Sequence, residues 1–476
     1  MVVKTFTSYF IFLMNNRTFF GIIFVLLIVG TVSCNLNNAK DDSGQTDNSM
    51  SALPEVPFPC EDGSAGGFLC ENVGLYAQVS IAELSGQSSG VFLNDIWGWT
   101  DPETEKEYAL VGLTNGMSFV DISDPINPVV IGRLPESNLN AKYKTIVKAQ
   151  YPACNLGLGE TSRSKSLTEG SSWRDVKVHK NHAYIVSDYQ PHGMQVLDLT
   201  KLRNFSGEIL NLQHDFLYDR LGSAHNIVIN EESDFAYATG VTQADICGSS
   251  NGSGLHMIDI SNPGNPEFAG CYIDDTPGYY SLAPGYIHDA QCVIYKGPDS
   301  EHQGKEVCFN SAEGNVVIAN VTDKQNPTTI GFNRQADMQY SHQGWLTEDQ
   351  SYFLMNDELD ERNLGRGTKT YIWDVQDLEA PEFLGYYEHS TSSIDHNLYI
   401  KGNYVYQSNY NAGLQILDIT NVAAASLKRV AYFDTQPDTD TANFEGTWSN
   451  YPFFKSGLVI LSDIESGLFI VKPELE

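Results

Sequence analysis

The chain has 476 residues, of which 41% are hydrophobic and 18% are charged, a composition typical of a folded protein and not of a disordered one. Sixty acidic residues against 28 basic ones give a net charge of −32, which argues against nucleic acid as a partner because phosphate binding needs a basic surface. Such a charge suits divalent cations, and a solvated acidic exterior is the alternative explanation.

The first 33 residues are predicted to form an export signal. Lys4 and Arg17 precede an apolar run over residues 19–30, shorter than the about 20 residues that a membrane span needs. The run leads into Val32-Ser33-Cys34, which resembles the bacterial lipoprotein signal, with Cys34 as the lipidated residue. A plain secretory signal with a chance cysteine is the alternative.

Residues 34–58 are polar and lack periodicity, so they predict a flexible tether. Together with the signal, this predicts an exported protein. We expect a membrane-anchored lipoprotein at the outer membrane or cell surface of a Gram-negative bacterium, with the membrane as partner through its lipid anchor.

A short phrase recurs along the rest of the chain: a glycine, four mostly apolar residues, then Asp-Ile or Asp-Leu. Clear copies begin at Gly116, Gly193, Gly254 and Gly413, and looser ones end at Asn320, at Asp374 and, without the aspartate, at Val471. Two strand-like runs precede the phrase and one follows it. Four strands per unit, at intervals of roughly 45 to 80 residues, predict an all-β fold, a β-propeller with four-stranded blades over residues 59–476.

Seven blades are expected, with six or eight as alternatives. The first strands are predicted to begin near Asp95, Asp175, His225, His288, His342, His396 and Glu445. The last unit stops after its third strand, and residues 75–81 form a spare strand before the first blade. Pairing of this N-terminal strand with the last unit would close the ring and remove exposed edges.

The recurring phrase, with its Asp-Ile-Ser-Asp-Pro ending at residues 121–125, resembles the LVIVD repeat. The order of the units, with Ala-His225-Asn, Ile-His288-Asp, Ser-His342-Gln and Asp-His396-Asn, is similar to the choice-of-anchor B family. Members of that family carry one extracellular domain on different anchors, lipoprotein cysteines among them. The resemblance implies a secreted or surface-attached propeller and no established reaction.

Eight cysteines are present, and in an exported protein they should pair. Cys60 and Cys70 flank a loop that a disulfide could close. Cys292 and Cys308 lie in the two halves of a predicted hairpin, and Cys247 and Cys271 flank the third phrase. Cys154 is then left over. The absence of Cys-x-x-Cys spacing disfavours a zinc–cysteine site.

The starts of the first strands carry histidines and acids. Equivalent residues of successive blades lie at one depth of a propeller channel, so these side chains are expected to form a ring that binds a divalent metal such as Zn, Mn, Fe or Ca. The alternative is that each histidine ties a loop to a neighbouring strand by hydrogen bonds. The candidate ligands are His225, His288, His342, His396, Asp175, Asp289 and Glu445.

Loops between the second and third strands supply a second set of candidate binding residues, Asp188, His192, Asp357 and Asp463. The acidic run around residues 356–361 suits Ca²⁺, and ordinary acidic turns are the alternative. Trp97, Trp99 and Trp448 are candidates for stacking on sugars. The other tryptophans, Trp173, Trp345 and Trp373, are expected in the core.

Two catalytic signatures are absent from the sequence: it has no phosphate-binding Gly-Lys-Ser/Thr loop and no His-Glu-x-x-His. We therefore assign no catalytic residue and expect a monomeric binding module whose ligand is a protein, a small molecule or a glycan. A metal-dependent hydrolase or lyase acting at the histidine ring is the alternative.

Overall fold

The computed structural model describes residues 53–137, 171–189, 191–242, 247, 254–273 and 285–475. The chain divides into two units, Met1–Ser51 and Ala52–Glu476, and all described residues belong to the second. The predicted signal and most of the predicted tether lie outside the described residues. Within the described ranges, no helix has the length and apolar character needed to cross a membrane.

Strands are the main regular structure of the described chain. The N-terminal strands are β1 (Ser64–Ala65), β2 (Phe68–Glu71) and β3 (Val73–Val79). Blade one contains β4 (Leu93–Thr100), β5 (Glu107–Leu113), β6 (Gly116–Asp121) and β7 (Val129–Pro135). Blade two contains β8 (Arg174–His179), β9 (His182–Ser187), β10 (Met194–Asp198) and β12 (Phe216–Tyr218), while β11 (Leu210–Asn211) pairs in parallel with β7.

The next two blades follow the same pattern. Blade three contains β13 (Asn226–Asn230), β14 (Phe235–Thr239), β15 (Leu255–Asp259) and β16 (Glu267–Tyr272). Blade four contains β17 (Asp289–Ile294), β18 (Glu306–Ser311), β19 (Val316–Asn320) and β20 (Thr328–Asn333).

Three further blades complete the fold. Blade five contains β21 (Ser341–Leu346), β22 (Tyr352–Asp357), β23 (Lys369–Asp374) and β24 (Glu382–Glu388). Blade six contains β25 (Leu398–Lys401), β26 (Tyr404–Ser408), β27 (Leu414–Asp418) and β28 (Lys428–Asp434), and β2 and β1 extend it beyond β28. Blade seven contains β29 (Thr447–Tyr451), β30 (Val459–Asp463) and β31 (Gly467–Pro473).

Short helical segments connect some of these strands. Among the described residues they are α1 (Ile81–Ser85), α2 (Asp360–Leu364) and 3₁₀ turns at Leu199–Asn204 and Val422–Ala424. The first has a capping box, in which the Ser80 side chain accepts from the backbone of Glu83 and the Glu83 carboxylate accepts from the backbone of Ser80. α2 directly follows the short loop after β22.

The strands are arranged as a closed ring. The first strand of each blade contacts the first strand of the next, and β29 of blade seven contacts β4 of blade one. β3 pairs antiparallel with β31, so the N-terminal strand supplies the outer strand of blade seven. The predictions of an all-β fold, of seven four-stranded blades and of closure by an N-terminal strand are therefore confirmed.

The aspartate of the recurring phrase has a local structural role. At the end of the third strand, its carboxylate accepts a hydrogen bond from the backbone N–H two residues later, for example from Ser123 to Asp121 at 3.0 Å and from Thr420 to Asp418 at 2.8 Å. In the fourth phrase Asn320 accepts from Thr322 in the same way, at 3.0 Å. The repeat therefore encodes the turn between the third and fourth strands, because an Asx side chain can satisfy a turn N–H.

The glycine that opens the phrase is required by backbone geometry. Gly413 has φ +69°, and a Cβ there would lie 2.2 Å from the carbonyl oxygen of Phe433 on the neighbouring strand. A residue with a side chain would be strained by the left-handed backbone at this position, and its Cβ would clash with the neighbouring strand. The apolar residues that follow pack between blades: Leu255 and Met257 of β15 in blade three share a buried cluster with Val317 of β19 in blade four.

Candidate metal site and central channel

Four imidazoles from consecutive blades lie side by side where the first strands begin, and we call this the histidine end of the channel. The ring centroids are 4.5 Å apart for His225 and His288, 4.3 Å for His288 and His342, and 4.4 Å for His342 and His396. Trp448 continues the layer in blade seven, 4.9 Å from His396. The structure thus brings together the four histidines that the sequence singles out.

Hydrogen bonds orient several of these rings. His396 Nδ1 lies 2.6 Å from the carbonyl oxygen of Trp448, and His288 Nδ1 lies 2.9 Å from that of His342. A carbonyl oxygen only accepts, so Nδ1 carries the proton in both rings and Nε2 of the neutral ring keeps its lone pair. Burial lowers the pKa of His396 to about 3 and that of His288 well below its usual value, so both rings are neutral at physiological pH.

Glu358 joins two of the imidazoles into a compact cluster. Its Oε2 is 3.7 Å from His342 Nε2 and its Oε1 is 3.6 Å from His396 Nε2. One ligand atom from each of these three residues lies within 4.8 Å of the other two. Two imidazoles and one carboxylate are a donor set that first-row divalent metals accept.

A hydrogen bond from a tyrosine also holds the Glu358 carboxylate in place. The Tyr410 hydroxyl donates to Glu358 Oε1 at 3.1 Å. Burial raises the pKa of Glu358 to about 7. Burial, together with the neighbouring rings of His288 and His396, lowers the pKa of His342 well below its usual value. Two neutral nitrogen donors therefore face a carboxyl group that ionises near neutral pH.

The space beside the imidazoles of His342 and His396 is small. The crevice lined by His225, His342, His396 and their tryptophan neighbours has a volume of about 10 Å³. That is about the space that one water molecule or one ion occupies. An organic ligand needs a pocket of roughly 300 Å³ or more, so this crevice selects for a single small species.

The other candidate ligands of the predicted ring lie elsewhere. Asp175 binds Lys177 Nζ at 2.6 Å through Oδ1 and accepts from the backbone of Ile227 in the next blade through Oδ2. Asp289 lines a different cavity further along the channel. Glu445 precedes β29 and its side chain is exposed, while Trp448 holds the position in the layer. The three acids thus lie outside the His342–Glu358–His396 cluster.

Asp188 touches the layer through His225, whose Nδ1 is 3.1 Å from Asp188 Oδ2. Burial opposes protonation of His225, but the charge of Asp188 and this hydrogen bond raise its pKa to about 9. His225 is therefore a cation in the folded protein, unlike the three rings beside it.

The remaining loop residues make internal contacts. His192 is fully buried and accepts from the Arg174 guanidinium at 3.0 Å. Burial and this charge lower the pKa of His192 to about 3. Asp357 accepts from the backbone of Gln339 and Tyr340, and Asp463 from the backbone of Ser466. These three side chains hold loops in place, and a role in ligand binding stays a prediction.

A larger cavity opens further along the first strands, and we call this the aromatic end. It has a volume of about 520 Å³, within the range of ligand pockets. All seven first strands contribute to its lining, and its aromatic residues are Trp97, Trp345, Tyr399, Tyr451 and Phe453. Lys177 also lines it, with its Nζ 4.6 Å from the centroid of the Trp97 ring.

The tryptophan predictions have mixed outcomes. Trp373 is fully buried in the core, as predicted. Trp345 was expected in the core and lines the cavity, and Trp173 is 46% exposed. Trp99, predicted to be available to sugars, is buried and stacked on Tyr108. For Trp99 and Trp345, the position along the first strand decides the environment, which sequence composition does not reveal.

The three predicted disulfides are present: Cys60–Cys70, Cys247–Cys271 and Cys292–Cys308. The last joins directly opposed residues of β17 and β18. Cys34 and Cys154 lie outside the described residues.

Two further groups of metal-type side chains occur among the described residues. Cys247 and Cys271 lie beside His256, but their disulfide removes the thiolates that a zinc ion would need. Asp299, His302 and Glu379 meet near the protein surface, where His302 Nε2 is 2.6 Å from a Glu379 oxygen. The Asp299 carboxylate already accepts from the backbone of Leu378, so this group links blades four and five.

Sequence reasoning missed Glu358 as a partner of the histidines. The loop at residues 356–361 was recognised as acidic, but its pairing with His342 and His396 depends on the loop after β22 folding over the channel. A signal was present, since a carboxylate in that loop lies on the same face as the strand starts. Tyr410 gave no sequence signal of this kind.

Comparison with known proteins supports the repeat. Residues 105–135, 249–274 and 396–431 match the LVIVD repeat. No curated protein matches the chain in sequence.

Among solved structures, the chain is similar to the Myceliophteria thermophila Cps50 (Swd1) β-propeller domain, with 11% identity over 85% of this chain and 100% of that chain and a TM-score of 0.47. A Lactobacillus plantarum protein shows 11% identity over 78% and 88% of the two chains, with a TM-score of 0.44. A putative 6-phosphogluconolactonase from Bacteroides fragilis shows 13% identity over 73% and 84%, with a TM-score of 0.43.

Proposed function

We propose that this protein is a binding β-propeller that holds a first-row divalent metal ion at the histidine end of its channel. The ligands are His342, His396 and Glu358. The observation that carries the proposal is the convergence of two neutral imidazoles and a carboxyl group, with ligand atoms within 4.8 Å of one another, beside a crevice of about 10 Å³ that both imidazoles line. The ion would tie the start of β21 to the start of β25 and to the loop after β22.

The residues fit such an ion in a further respect. In His396 the Nδ1–H donates to the Trp448 carbonyl, which is the outer contact that metal-bound histidines commonly make. This contact fixes the tautomer and directs Nε2 to the side where Glu358 lies. The ring is thus oriented before any ion arrives.

The volume of the crevice favours binding over catalysis. A hydrolase or lyase acting at this ion would have to place an organic substrate beside it, and about 10 Å³ holds no more than a water molecule. The enzyme alternative would need the layer of rings to open. For this reason we assign the metal a structural role in the propeller and no catalytic residue.

The test is metal binding by the purified protein after treatment with a chelator. Calorimetric titration with Zn²⁺ and Mn²⁺ should show one site, and His342→Gln and His396→Gln should each weaken it by at least about tenfold. His182→Gln is the matched control, because His182 bonds to the Lys180 carbonyl far from the cluster in the blade-two hairpin. Equal affinity in all four proteins, or no binding by the unaltered one, would overturn the proposal.

The aromatic end favours a small-molecule ligand, for which we propose a glycan. Sugars stack on exposed aromatic faces, and here Trp97 and Trp345 face a cavity of about 520 Å³ that also offers Lys177 and Gln291 as polar partners. Oligosaccharides should change the tryptophan fluorescence of the unaltered protein and leave that of Trp345→Ala unchanged. A response that persists in this variant would place the sugar elsewhere.

We also propose that the protein is exported and anchored by a lipid on Cys34, as a member of the choice-of-anchor B type, and that it is monomeric. The apolar run at residues 19–30 and the Val-Ser-Cys ending support this. Metabolic labelling with a radioactive fatty acid should mark the protein, and Cys34→Ser should abolish the label. Label retained in the variant would refute the anchor.

A further inference from the structure

The cavity at the aromatic end has two unlike walls. Its aromatic residues all come from blades five, six, seven and one, which are neighbours in the ring because β29 contacts β4. The other three blades, two to four, supply every charged residue of the lining: Lys177, Glu231, Glu232 and Asp289. Because the ring is closed, the two arcs of blades face each other across the cavity. A bound ligand therefore meets aromatic rings on one side and mostly acids on the other.

The aromatic wall is one packed cluster. The centroid of the Trp97 ring lies 5.5 Å from that of Tyr399 and 5.0 Å from that of Tyr451. The Trp345 ring lies 5.2 Å from Tyr399, and Phe453 lies 6.2 Å from Trp97 and 6.3 Å from Trp345. Edge-to-face packing of this kind holds the rings in fixed orientations, so the wall is formed before a ligand arrives.

The charged wall has an excess of negative charge. Its one base, Lys177, is already neutralised by Asp175, whose Oδ1 lies 2.6 Å from the Lys177 Nζ. Glu232 forms an ion pair with Lys296 at 2.5 Å. Glu231 and Asp289 form no ion pair with any residue that the structure describes. Two carboxylates of the lining are thus available to a cation from outside.

These two carboxylates lie at different depths of the cavity. Asp289 is the first residue of β17 and is partly buried, whereas Glu231 follows the last residue of β13 and is exposed at the mouth. Oδ1 of Asp289 accepts from the backbone of Ala290 at 2.7 Å, and Oδ2 has no hydrogen-bond donor among the described residues. A ligand that satisfies both acids needs more than one positive group along its length.

The aromatic wall favours positive charge as well. Lys177 shows this directly, since its Nζ lies 4.6 Å from the centroid of the Trp97 ring. An ammonium group is attracted to the face of an aromatic ring by the quadrupole of the ring. Both walls therefore select for a cationic ligand, whereas an anionic one would be repelled by the acids.

We propose that the ligand of the aromatic end is an oligosaccharide of amino sugars whose amino groups are free and protonated. The proposal rests on the glycan-binding function put forward above and names the class of glycan. The C–H faces of the sugar rings stack on Trp97 and Trp345, and the ammonium groups bind Asp289 within the cavity and Glu231 at its mouth. Acetylation of the amino groups removes the charge and leaves both carboxylates without a partner.

The test is calorimetric titration of the purified protein with three trisaccharides of the same linkage. They are built from glucosamine, from N-acetylglucosamine and from glucose. The glucosamine trisaccharide should bind at least about tenfold more tightly than the other two, because only it forms charge-assisted hydrogen bonds with the acids. Added NaCl should reduce this preference, because Glu231 is exposed and its charge is screened by salt.

Variants assign the preference to its two carboxylates. Glu231→Gln and Asp289→Asn should each weaken binding of the glucosamine trisaccharide by at least about fivefold and leave binding of the glucose trisaccharide unchanged. Glu105→Gln is the matched control. Glu105 is an exposed glutamate in the turn between β4 and β5 of blade one, as Glu231 is in the turn between β13 and β14, but it does not line the cavity. It should keep the full preference.

The outcomes separate this proposal from the function on which it rests. Equal affinity for the three sugars, or an unchanged preference in Glu231→Gln, would overturn the amino-sugar proposal while glycan binding stands. An equal loss for the glucose trisaccharide in that variant would overturn it too, because the carboxylate would then act on sugar hydroxyls. If none of the three sugars binds, glycan binding itself is refuted and the amino-sugar proposal with it.

Discussion

The two ends of the channel differ in how the same seven strands fill it. At the histidine end, rings from blades three to seven pack against one another and leave about 10 Å³. At the aromatic end, large rings come from blades one, five, six and seven, whereas blades two to four supply smaller side chains such as Lys177, Val228 and Gln291, and about 520 Å³ stays open. Side-chain size at one register across the blades therefore decides whether a propeller channel is closed or hollow.

Charge distinguishes the two ends as well. The imidazoles of the histidine end are neutral except for that of His225, which is paired with Asp188. At the aromatic end, the carboxyl groups of Asp95, Asp175 and Asp289 interact with the buried ammonium group of Lys177. Burial and the neighbouring Asp175 raise the pKa of Asp95 to about 8, and Lys177 opposes this shift.

The largest effect is expected for Lys177→Met. The change leaves the buried Asp175 carboxylate without its ammonium partner at 2.6 Å, so the free energy of unfolding should fall by about 3–5 kcal/mol. Urea unfolding measures this loss. Lys177→Arg keeps the charge and should lose clearly less, and an equal loss in both variants would show that packing, not charge, holds this layer together.

An intermediate effect is expected from filling the channel. Val228→Phe adds a ring that can enter the open aromatic end, so the free energy of unfolding should change by less than about 1 kcal/mol. Val317→Phe is the matched change in the packed core, where Val317 is fully buried, and it should cost about 1–3 kcal/mol. A similar cost at both positions, measured by urea unfolding, would contradict the description of the aromatic end as hollow.

The smallest effect concerns the charged imidazole. Because the folded-state pKa of His225 is about 9 and that of the unfolded chain is about 6.5, the pair with Asp188 stabilises the protein fully below pH about 6.5 and loses this contribution as the pH rises through about 9. Asp188→Asn should therefore destabilise the protein by about 1 kcal/mol at pH 6 and by much less at pH 9.5. Unfolding measured at both pH values checks this. If the variant loses the same stability at both, the charge of His225 is not the cause of the loss.

Much of the fold follows from local patterns. The strand-forming residues and the turn at the end of each phrase depend on near neighbours, as the contact of Asp121 with the Ser123 N–H shows. The histidines were identified because they recur at one phase of the repeat. The proposed metal ligand Glu358 was not identified from the sequence, because its loop in blade five has to reach imidazoles of two different blades.

The sequence by itself determined the all-β class, the seven blades, the closure by an N-terminal strand and the three disulfides, since each depends on periodicity or on residues that one hairpin or loop brings together. Only the tertiary structure decided which polar side chains share a depth of the channel and which of them lack partners. The physical reason is that the ring brings residues from distant parts of the chain within a few ångströms, where burial sets the protonation state of each group.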